Sequence, residues 1–261
     1  MAERLTIIKV GGKIVESSDT LYRLLADFAA IEGKKLLVHG GGRSATQFAG
    51  RLGIETRMVD GRRITDDAML DVVTMVYGGL VNKRIVAGLQ ALGVTALGMT
   101  GADMDIIRSV KRPVTAAGID YGWVGDVSRV DGAALARIID SGVVPVVAPL
   151  THDGHGHILN TNADTMAGAT ACALARHYDV SLVFCFEKEG VLLDENDDST
   201  VIKHLDGSHY AALKAKGVIS GGMIPKLDNA FATLDAGVVR VVITRAANIA
   251  DGSRGTVISR Q

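Results

Sequence analysis

Four stretches of this 261-residue chain set a cation, a carboxylate or a carboxamide beside residues with little or no side chain. They are Lys9-Val-Gly-Gly12, His39-Gly-Gly-Gly42, Asn160-Thr-Asn-Ala-Asp164 and Gly221-Gly-Met-Ile-Pro-Lys226. Glycines between a strand and a helix leave their N–H groups bare, and the helix dipole favours negative charge there, so such a turn serves either as a plain corner or as an anion site. Lys9 lies in an otherwise apolar run, where its ammonium must snorkel outward or be paired. Lys226 follows Pro225 at the start of a helical run, beside Gly221 and Gly222. Two lysines aimed at one centre, with glycine amides between them, would stabilise charge on a phosphoryl group in transfer. Asp164 offers a carboxylate to hold both ammonium groups, although its position also suits a helix N-cap.

Apolar periodicity indicates the elements that must position these groups. Leu5–Val10 reads as a buried strand. Ser17–Asp19 offers N-caps to a helix with Leu21, Leu24, Leu25 and Phe28 on one face, stopping at Gly33. Leu36–His39 is the next strand and Ala45–Leu52 a short helix stopped by Gly53. Residues 66–92 read as one long helix, with Met69, Val72, Val73 and Val76 on one side, followed by a strand at 94–98. Alternation around Gly118 and Gly122 predicts one or two hairpins within 105–130. A helix at 131–141, a strand at 143–150, a turn at 151–157, a helix at 162–177 and a strand at 181–186 follow. Helices at 206–216 and 222–236 and strands at 238–243 and 255–258 complete the chain. This rhythm predicts an α/β fold with a mostly parallel sheet covered on both faces, and ligands at the carboxyl ends of its strands. No linker composition interrupts it, so one continuous sheet carrying two functional lobes, 1–177 and 178–261, is expected.

Composition and motif absences narrow the chemistry. A net charge of −1 and 4% aromatic residues supply neither a global field for nucleic acid or anionic membranes nor platforms for stacking bases. No uninterrupted apolar run reaches the ~20 residues of a membrane helix, and the N-terminus lacks a signal-peptide pattern. Cys172 and Cys185 sit in apolar context without metal-type spacing and read as buried thiols of a cytoplasmic protein. Gly12-Lys13 has no glycine five residues earlier, so it is not a Walker A loop, and no G-x-G-x-x-G opens a helix after a strand. A Rossmann dehydrogenase and a protein kinase are both disfavoured.

IIKVGG at 7–12, VHGGG at 38–42, GRRIT at 61–65, NK at 82–83, LNTNAD at 159–164 and GGMIPK at 221–226 together resemble the amino acid kinase family. Within it they look like the acetylglutamate kinases of arginine biosynthesis, over essentially the whole chain. The resemblance implies a three-layer sandwich whose first lobe binds an acyl amino acid and forms a homodimer, and whose second binds ATP. It implies that Lys9 and Lys226 stabilise the transition state and that Asp164 orients them. Gly11, Gly12 and Gly41 would offer amides to phosphoryl oxygens, and Gly41 and Gly42 would also contact substrate. Arg63 would fork onto the substrate α-carboxylate, and Asn160 would bind the amino acid end. Glu187, Gly190 and Gly222 would serve the phosphates and nucleotide. The implied reaction phosphorylates the γ-carboxylate of N-acetyl-L-glutamate, with Mg²⁺ carried on the ATP phosphates and no metal held by the protein. N-succinyl-L-glutamate, an α-aminoadipate derivative, or a non-catalytic nucleotide-binding role on the same fold are the alternatives. Because the chain begins directly at its first strand, a dimer without arginine feedback is implied.

One corner departs from the family pattern. Such kinases usually carry Thr/Ser-Asp-Val-x-Gly after the strand at 181–186, and here the segment is Phe186-Glu-Lys-Glu-Gly190. Glu187 can replace the aspartate with a longer reach, but Lys188 and Glu189 are foreign to the pattern. His152-Asp-Gly-His-Gly-His157 looks like a metal site but reads better as a hairpin tip, and Asp103 and Asp105 as solvated loop carboxylates. His39 is either a satisfied histidine at a strand end or a phosphate neighbour. The Met69–Val76 stripe is either core or a dimer seam.

Overall fold

The run Leu5–Val10 has no face to turn to water: Leu5, Ile7, Ile8 and Val10 are each at most 1% exposed. A strand apolar on both sides belongs inside a sheet with helices above and below. The computed structural model, which describes residues 2–194, 196–249, 251 and 254–260 and only the backbone of Lys13, builds that arrangement. In chain order the strands are β1 (Arg4–Val10), β2 (Lys34–His39), β3 (Met58–Val59), β4 (Arg62–Arg63), β5 (Ala96–Met99), β6 (Ile107–Lys111), β7 (Gly125–Val130), β8 (Val144–Val147), β9 (Leu150–His152), β10 (Ile158–Asn160), β11 (Asp179–Phe186), β12 (His204–Leu205), β13 (Arg240–Arg245) and β14 (Thr256–Ile258). The α-helices are α1 (Gly12–Glu16), α2 (Ser18–Ala30), α3 (Gly42–Arg51), α4 (Asp67–Val73), α5 (Asn82–Ala91), α6 (Gly132–Asp140), α7 (Ala163–Leu174), α8 (Gly207–Ala215) and α9 (Met223–Asp235).

Eight strands form the main sheet in the order β12-β14-β13-β11-β1-β2-β8-β5. The ladders from β13 through β5 are parallel, and β14 runs antiparallel to β13. Alternation along β1 divides the core. Leu5 and Ile7 pack with Leu182, Phe184, Met166, Leu227 and Ala230 on the side of α7 and α9. Ile8 and Val10 pack with Val183, Cys185, Phe28, Met69 and Val73 on the side of α2 and α4. The result is the expected three-layer sandwich around a large, mostly parallel central sheet, but not on the one continuous sheet read from the sequence. β1 and β2 are central neighbours, with Lys9 opposite Val38 and Val10 opposite His39, so both glycine turns leave the sheet side by side.

The long helix forms, but with a defect. A π-helical stretch, Thr74–Val81, joins α4 to α5, and it contains Gly78 and Gly79, both weak helix formers. By length and mean hydropathy, residues 67–91 could cross a membrane, yet Met69, Val73, Val76, Tyr77, Ile85 and Leu89 pack into the protein's own core. The helix read as 45–52 starts earlier, at Gly42, so the glycine turn itself opens α3.

The run 143–150, read as one strand, is two. β8 stays in the main sheet, and at Pro149, which cannot donate to a ladder, the chain leaves to begin β9. β9 belongs to a second sheet ordered β10-β9-β6-β7. Two isolated bridges, Thr65–Gly122 and Val124–Asn160, tie the segments flanking that sheet to one another. Thr65 donates its N–H to the Tyr121 carbonyl (3.0 Å) and accepts from Trp123 (2.7 Å), which fixes the segment carrying Arg63.

Gly122 makes that tie possible. Its φ is +67°, and a Cβ there would overlap the Thr65 carbonyl oxygen. Gly118 has a similar φ of +77° with nothing within 4 Å of its virtual Cβ. Gly122→Ala is therefore expected to cost about 3 kcal/mol, from strain plus overlap, against about 1 kcal/mol for Gly118→Ala. Urea denaturation of the two variants checks this, and equal losses would show that the Thr65 contact carries no weight.

Candidate active site

The two glycine turns touch through their backbones. Gly40 donates to the Val10 carbonyl (2.8 Å). A Cβ at Gly40 would lie 3.3 Å from the Gly12 nitrogen, and one at Gly12 would lie 3.5 Å from the Gly42 nitrogen. At Gly41 a Cβ would come 2.7 Å from the Tyr77 ring, which the π-helical stretch presses against the turn. A side chain would collide at Gly41 and be crowded at Gly40, and the loops offer bare amides.

His39 settles the orientation of that turn. It is fully buried, and its Nδ1 lies 2.8 Å from the Gly40 carbonyl oxygen. Its Nε2 lies 3.1 Å from Asn82 Nδ2, which also donates to the Val146 carbonyl (2.9 Å). Lys83 donates to Asn82 Oδ1 (3.1 Å), so the Asn82 amide group must be the end facing His39. Nε2 therefore accepts and Nδ1–H donates to Gly40. Burial, with a smaller push from the Lys83 charge, lowers the His39 pKa to about 4, so the ring is neutral near pH 7. In a trans peptide the N–H points opposite to the C=O, so holding the Gly40 oxygen turns the Gly41 N–H to the other side.

The charged groups converge beside these amides. Lys9, 6% exposed, places Nζ 2.7 Å from Asp164 Oδ1. The N-cap of α7 is Asn162, whose side chain accepts from the Thr165 N–H (3.0 Å), which leaves Asp164 free for the ammonium. Lys226, in the first turn of α9, brings Nζ to 3.9 Å from the Phe186 ring centroid. Burial lowers the Lys226 pKa; Asp164 opposes that shift and Lys9 adds to it. Lys9, Gly11, Gly12, Asp164, Glu187 and Lys226 line one cleft of about 620 Å³.

A smaller pocket of about 180 Å³ adjoins it, with Met58, Gly42 and Arg63 common to both walls. Arg63 is buried on the two-residue β4, with Nη2 donating to the Gly42 carbonyl (2.7 Å) and Thr46 Oγ1 (2.9 Å). A carboxylate bound there must share those donors or take them over. Asn160 donates to Thr65 Oγ1 (2.9 Å), which ties the second sheet to the Arg63 segment. Arg62 stands on the same wall, half-buried; burial, and the like charge of Arg112 after it, lower its pKa.

A sequence model of the amino acid kinase family matches residues 4–245. The chain belongs to that family. It is 65% identical over 260 residues to the acetylglutamate kinase of Phocaeicola vulgatus, covering 100% of both chains. It is 64% identical over 254 residues to that of Parabacteroides distasonis, covering 97% of this chain and 98% of the other. Among solved structures, smu.665 from Streptococcus mutans superposes with a TM-score of 0.78 at 26% identity, covering 98% of this chain and 99% of that one.

For an amino acid kinase the sequence-predicted residues are gathered almost completely. Lys9, Gly11, Gly12, Gly41, Gly42, Arg63, Asn160, Asp164, Glu187, Gly190 and Lys226 all line the two pockets. Gly222 does not: it is the exposed N-cap of α9, next to Met223, which does line the cleft. Gly190 is constrained by packing, since a Cβ there would lie 2.6 Å from Thr256 Oγ1. The atypical 186–190 loop is held by charge. Arg245 donates to the Glu187 carbonyl (3.1 Å) and pairs with Glu189 (3.0 Å), which also accepts from Asn248 (2.6 Å). Tyr77, Arg62 and Phe186 escaped the sequence reading. The first is hidden in an apolar helical stripe, the second in an arginine pair, and the third at the end of an apolar strand.

In the histidine-rich segment at 152–157, two histidines have carboxylate partners. His152 pairs with Asp105 (2.7 Å), while His157 pairs with Asp153 (2.7 Å) and stacks on Trp123. Among the described residues no group of three or more His, Cys, Asp or Glu side chains is placed to hold a metal ion.

The His39 clamp has a pH signature. Its unfolded pKa is near 6.5 and its folded value about 4, so below 6.5 the unfolded chain binds more protons. Stability should fall as pH drops from 6.5 toward 4, by about 3 kcal/mol from this residue alone. Urea denaturation at pH 7 and pH 4.5 measures it. His39→Gln should flatten the dependence, and an unchanged slope in that variant would contradict the assignment.

Proposed function

We propose that the chain transfers the γ-phosphoryl group of ATP to the γ-carboxylate of N-acetyl-L-glutamate, giving N-acetylglutamyl 5-phosphate, the second step of arginine biosynthesis. The observation that carries this reading is the convergence of Lys9, Lys226 and Asp164 in a cleft that opens onto the Arg63–Asn160 pocket. Full-length identity of 65% to a protein named acetylglutamate kinase supports the choice of substrate.

The substrate carboxylate is ionised at neutral pH and is already a nucleophile, so no protein base is needed. One of its oxygens attacks the γ-phosphorus while the bond to the bridging oxygen breaks, and ADP leaves with that electron pair. Negative charge accumulates on the transferring oxygens and on the leaving phosphate, where two ammonium groups and bare amides stabilise it. Lys9 and Lys226 supply the cations. Asp164 holds Lys9 in place, and Gly11, Gly12 and Gly41 supply N–H groups. Arg63 forks onto the α-carboxylate with Gly42 beside it, and Asn160 orients the amino acid end. Glu187, Gly190 and the Gly222 turn serve the nucleotide. Mg²⁺ would ride on the ATP phosphates and neutralise part of their charge, as suits an ion that keeps most of its waters.

In this reading residues 1–177 bind the acyl amino acid and residues 178–261 the nucleotide. The protein works as a cytoplasmic homodimer. Exposed Met75 on the long helix and Leu97 on the edge strand β5 offer apolar surface for a second copy.

Arg62 favours a second reading of the acyl group. A second guanidinium on the small-pocket wall suits an acyl chain ending in a carboxylate, as in N-succinyl-L-glutamate. Purified protein given Mg-ATP with acetyl-, succinyl- or free glutamate, with acyl phosphate trapped by hydroxylamine, separates the cases. Turnover of the acetyl compound is expected. A preference for the succinyl compound would transfer the reading to that substrate, and no trapped product with any would leave a non-catalytic nucleotide-binding role. Lys226→Ala is expected to lower kcat by about 10²-fold with little change in substrate binding, and an unchanged kcat would remove Lys226 from the mechanism.

A further inference from the structure

Phe186 has no part in the chemistry so far, yet both catalytic lysines gather on it. The Lys226 ammonium lies 3.9 Å from the ring centroid and that of Lys9 5.3 Å. The ring is fixed: Phe186 is the last residue of β11, stacked on Phe184 at 6.2 Å with 6° between the planes. Phe184 is buried and sits opposite Lys9 in the β1–β11 ladder, so lysine and aromatic pair share one face of the sheet.

Like charges that converge in one cleft repel, and each needs a counterweight. Asp164 serves Lys9 at 2.7 Å. Among the described residues Lys226 makes no hydrogen bond or ion pair; Asp164 and Glu187 favour its charge from farther off, and its close contact is the ring. An aromatic face attracts an ammonium through its quadrupole, more strongly once water is excluded. It also differs from a carboxylate in a way that matters here. A carboxylate would hold N–H groups strongly and cancel the charge that a phosphoryl oxygen needs, whereas a π-face engages them only weakly and leaves the net charge intact.

We propose that Phe186 is a positioning residue for phosphoryl transfer: its ring face holds the Lys226 ammonium, with Lys9 at its margin, ready for the incoming phosphoryl oxygens. The proposal rests on the kinase reading above. It assigns the effect to the electron density of the ring and not to its volume, so the two can be separated.

The test replaces Phe186 with 4-fluoro-, 3,5-difluoro- and 3,4,5-trifluorophenylalanine, which nearly keep its shape while weakening its quadrupole, and adds Phe186→Leu and Phe186→Tyr. Thermal melts confirm that each variant is folded. With the preferred acyl substrate, kcat should fall stepwise with each fluorine to a loss of about 10-fold, which Phe186→Leu should match, while Phe186→Tyr stays within about twofold of the parent. KM for the acyl substrate should change by less than about twofold throughout, because the ring acts through Lys226. A kcat that is flat across the fluorinated series in an active parent would overturn the proposal. A parent inactive on every substrate would instead sink the kinase reading, and a second readout then decides the contact. The Lys226 Hε resonances, assigned by their loss in Lys226→Arg, should be shifted upfield by the ring and lose that shift in Phe186→Leu. Unshifted resonances in the parent would overturn the proposal by themselves.

Discussion

Two ammonium groups cannot be brought into one partly buried cleft unless something else in the fold holds them there. Lys9 is 6% exposed, and its charge is tolerable because Asp164 reaches it from α7. Asp164 is available only because Asn162, two residues earlier, has taken the N-cap. Lys226 arrives from α9 over the end of β11, where Phe186 meets it with a ring face. β1, α7, α9 and β11 all pack around one core, so the spacing of the charges follows from how helices seat on the sheet. A site made of cations alone would scatter without that scaffold.

The negative partner of these cations is to be met by backbone, and that sets a second constraint. β1 and β2 are hydrogen-bonded neighbours, so their glycine turns come into van der Waals contact and leave little room for a side chain between them. A turn of glycines is conformationally free unless something fixes it. His39, Asn82 and Lys83 do so in a chain of hydrogen bonds that ends on the Gly40 carbonyl. Tyr77 closes the other side at Gly41. The histidine of the HGGG stretch is therefore better understood as the orienting group of the turn than as a ligand of phosphate.

Much of this was legible in the sequence, for identifiable reasons. Buried parallel strands are continuous apolar runs, so β1, β2 and β11 were plain, and Lys9 stood out because it broke one of them. Glycines at strand ends marked the turns. What stayed hidden depended on partners distant in sequence. Pro149 ends β8 and opens β9, which periodicity alone reads as a single strand. The π-helical stretch is invisible to a 3.6-residue period, and with it the reason that Tyr77 reaches Gly41. Asp164 as an N-cap or as a lysine partner was undecidable until Asn162 was seen to cap. Arg62 and Arg63 are adjacent and alike, and only their burial and hydrogen bonds separate them.

The loop at 186–190 shows what such a corner needs and what it can exchange. Its sequence departs from the family pattern, yet the chain leaves β11 into the same cleft that Lys9 and Lys226 line. Arg245 at the end of β13 holds the Glu187 carbonyl and the Glu189 carboxylate, so Glu189, foreign to the pattern, works as a fastening. Gly190 must stay small because β14 crosses beside it. Ahead of those fixed points the side chains of Phe186, Glu187 and Lys188 line the cleft. A backbone path pinned at both ends by packing and charge can therefore admit new side chains without moving the lysines, and an aromatic at the first of these positions lies within reach of both ammonium groups.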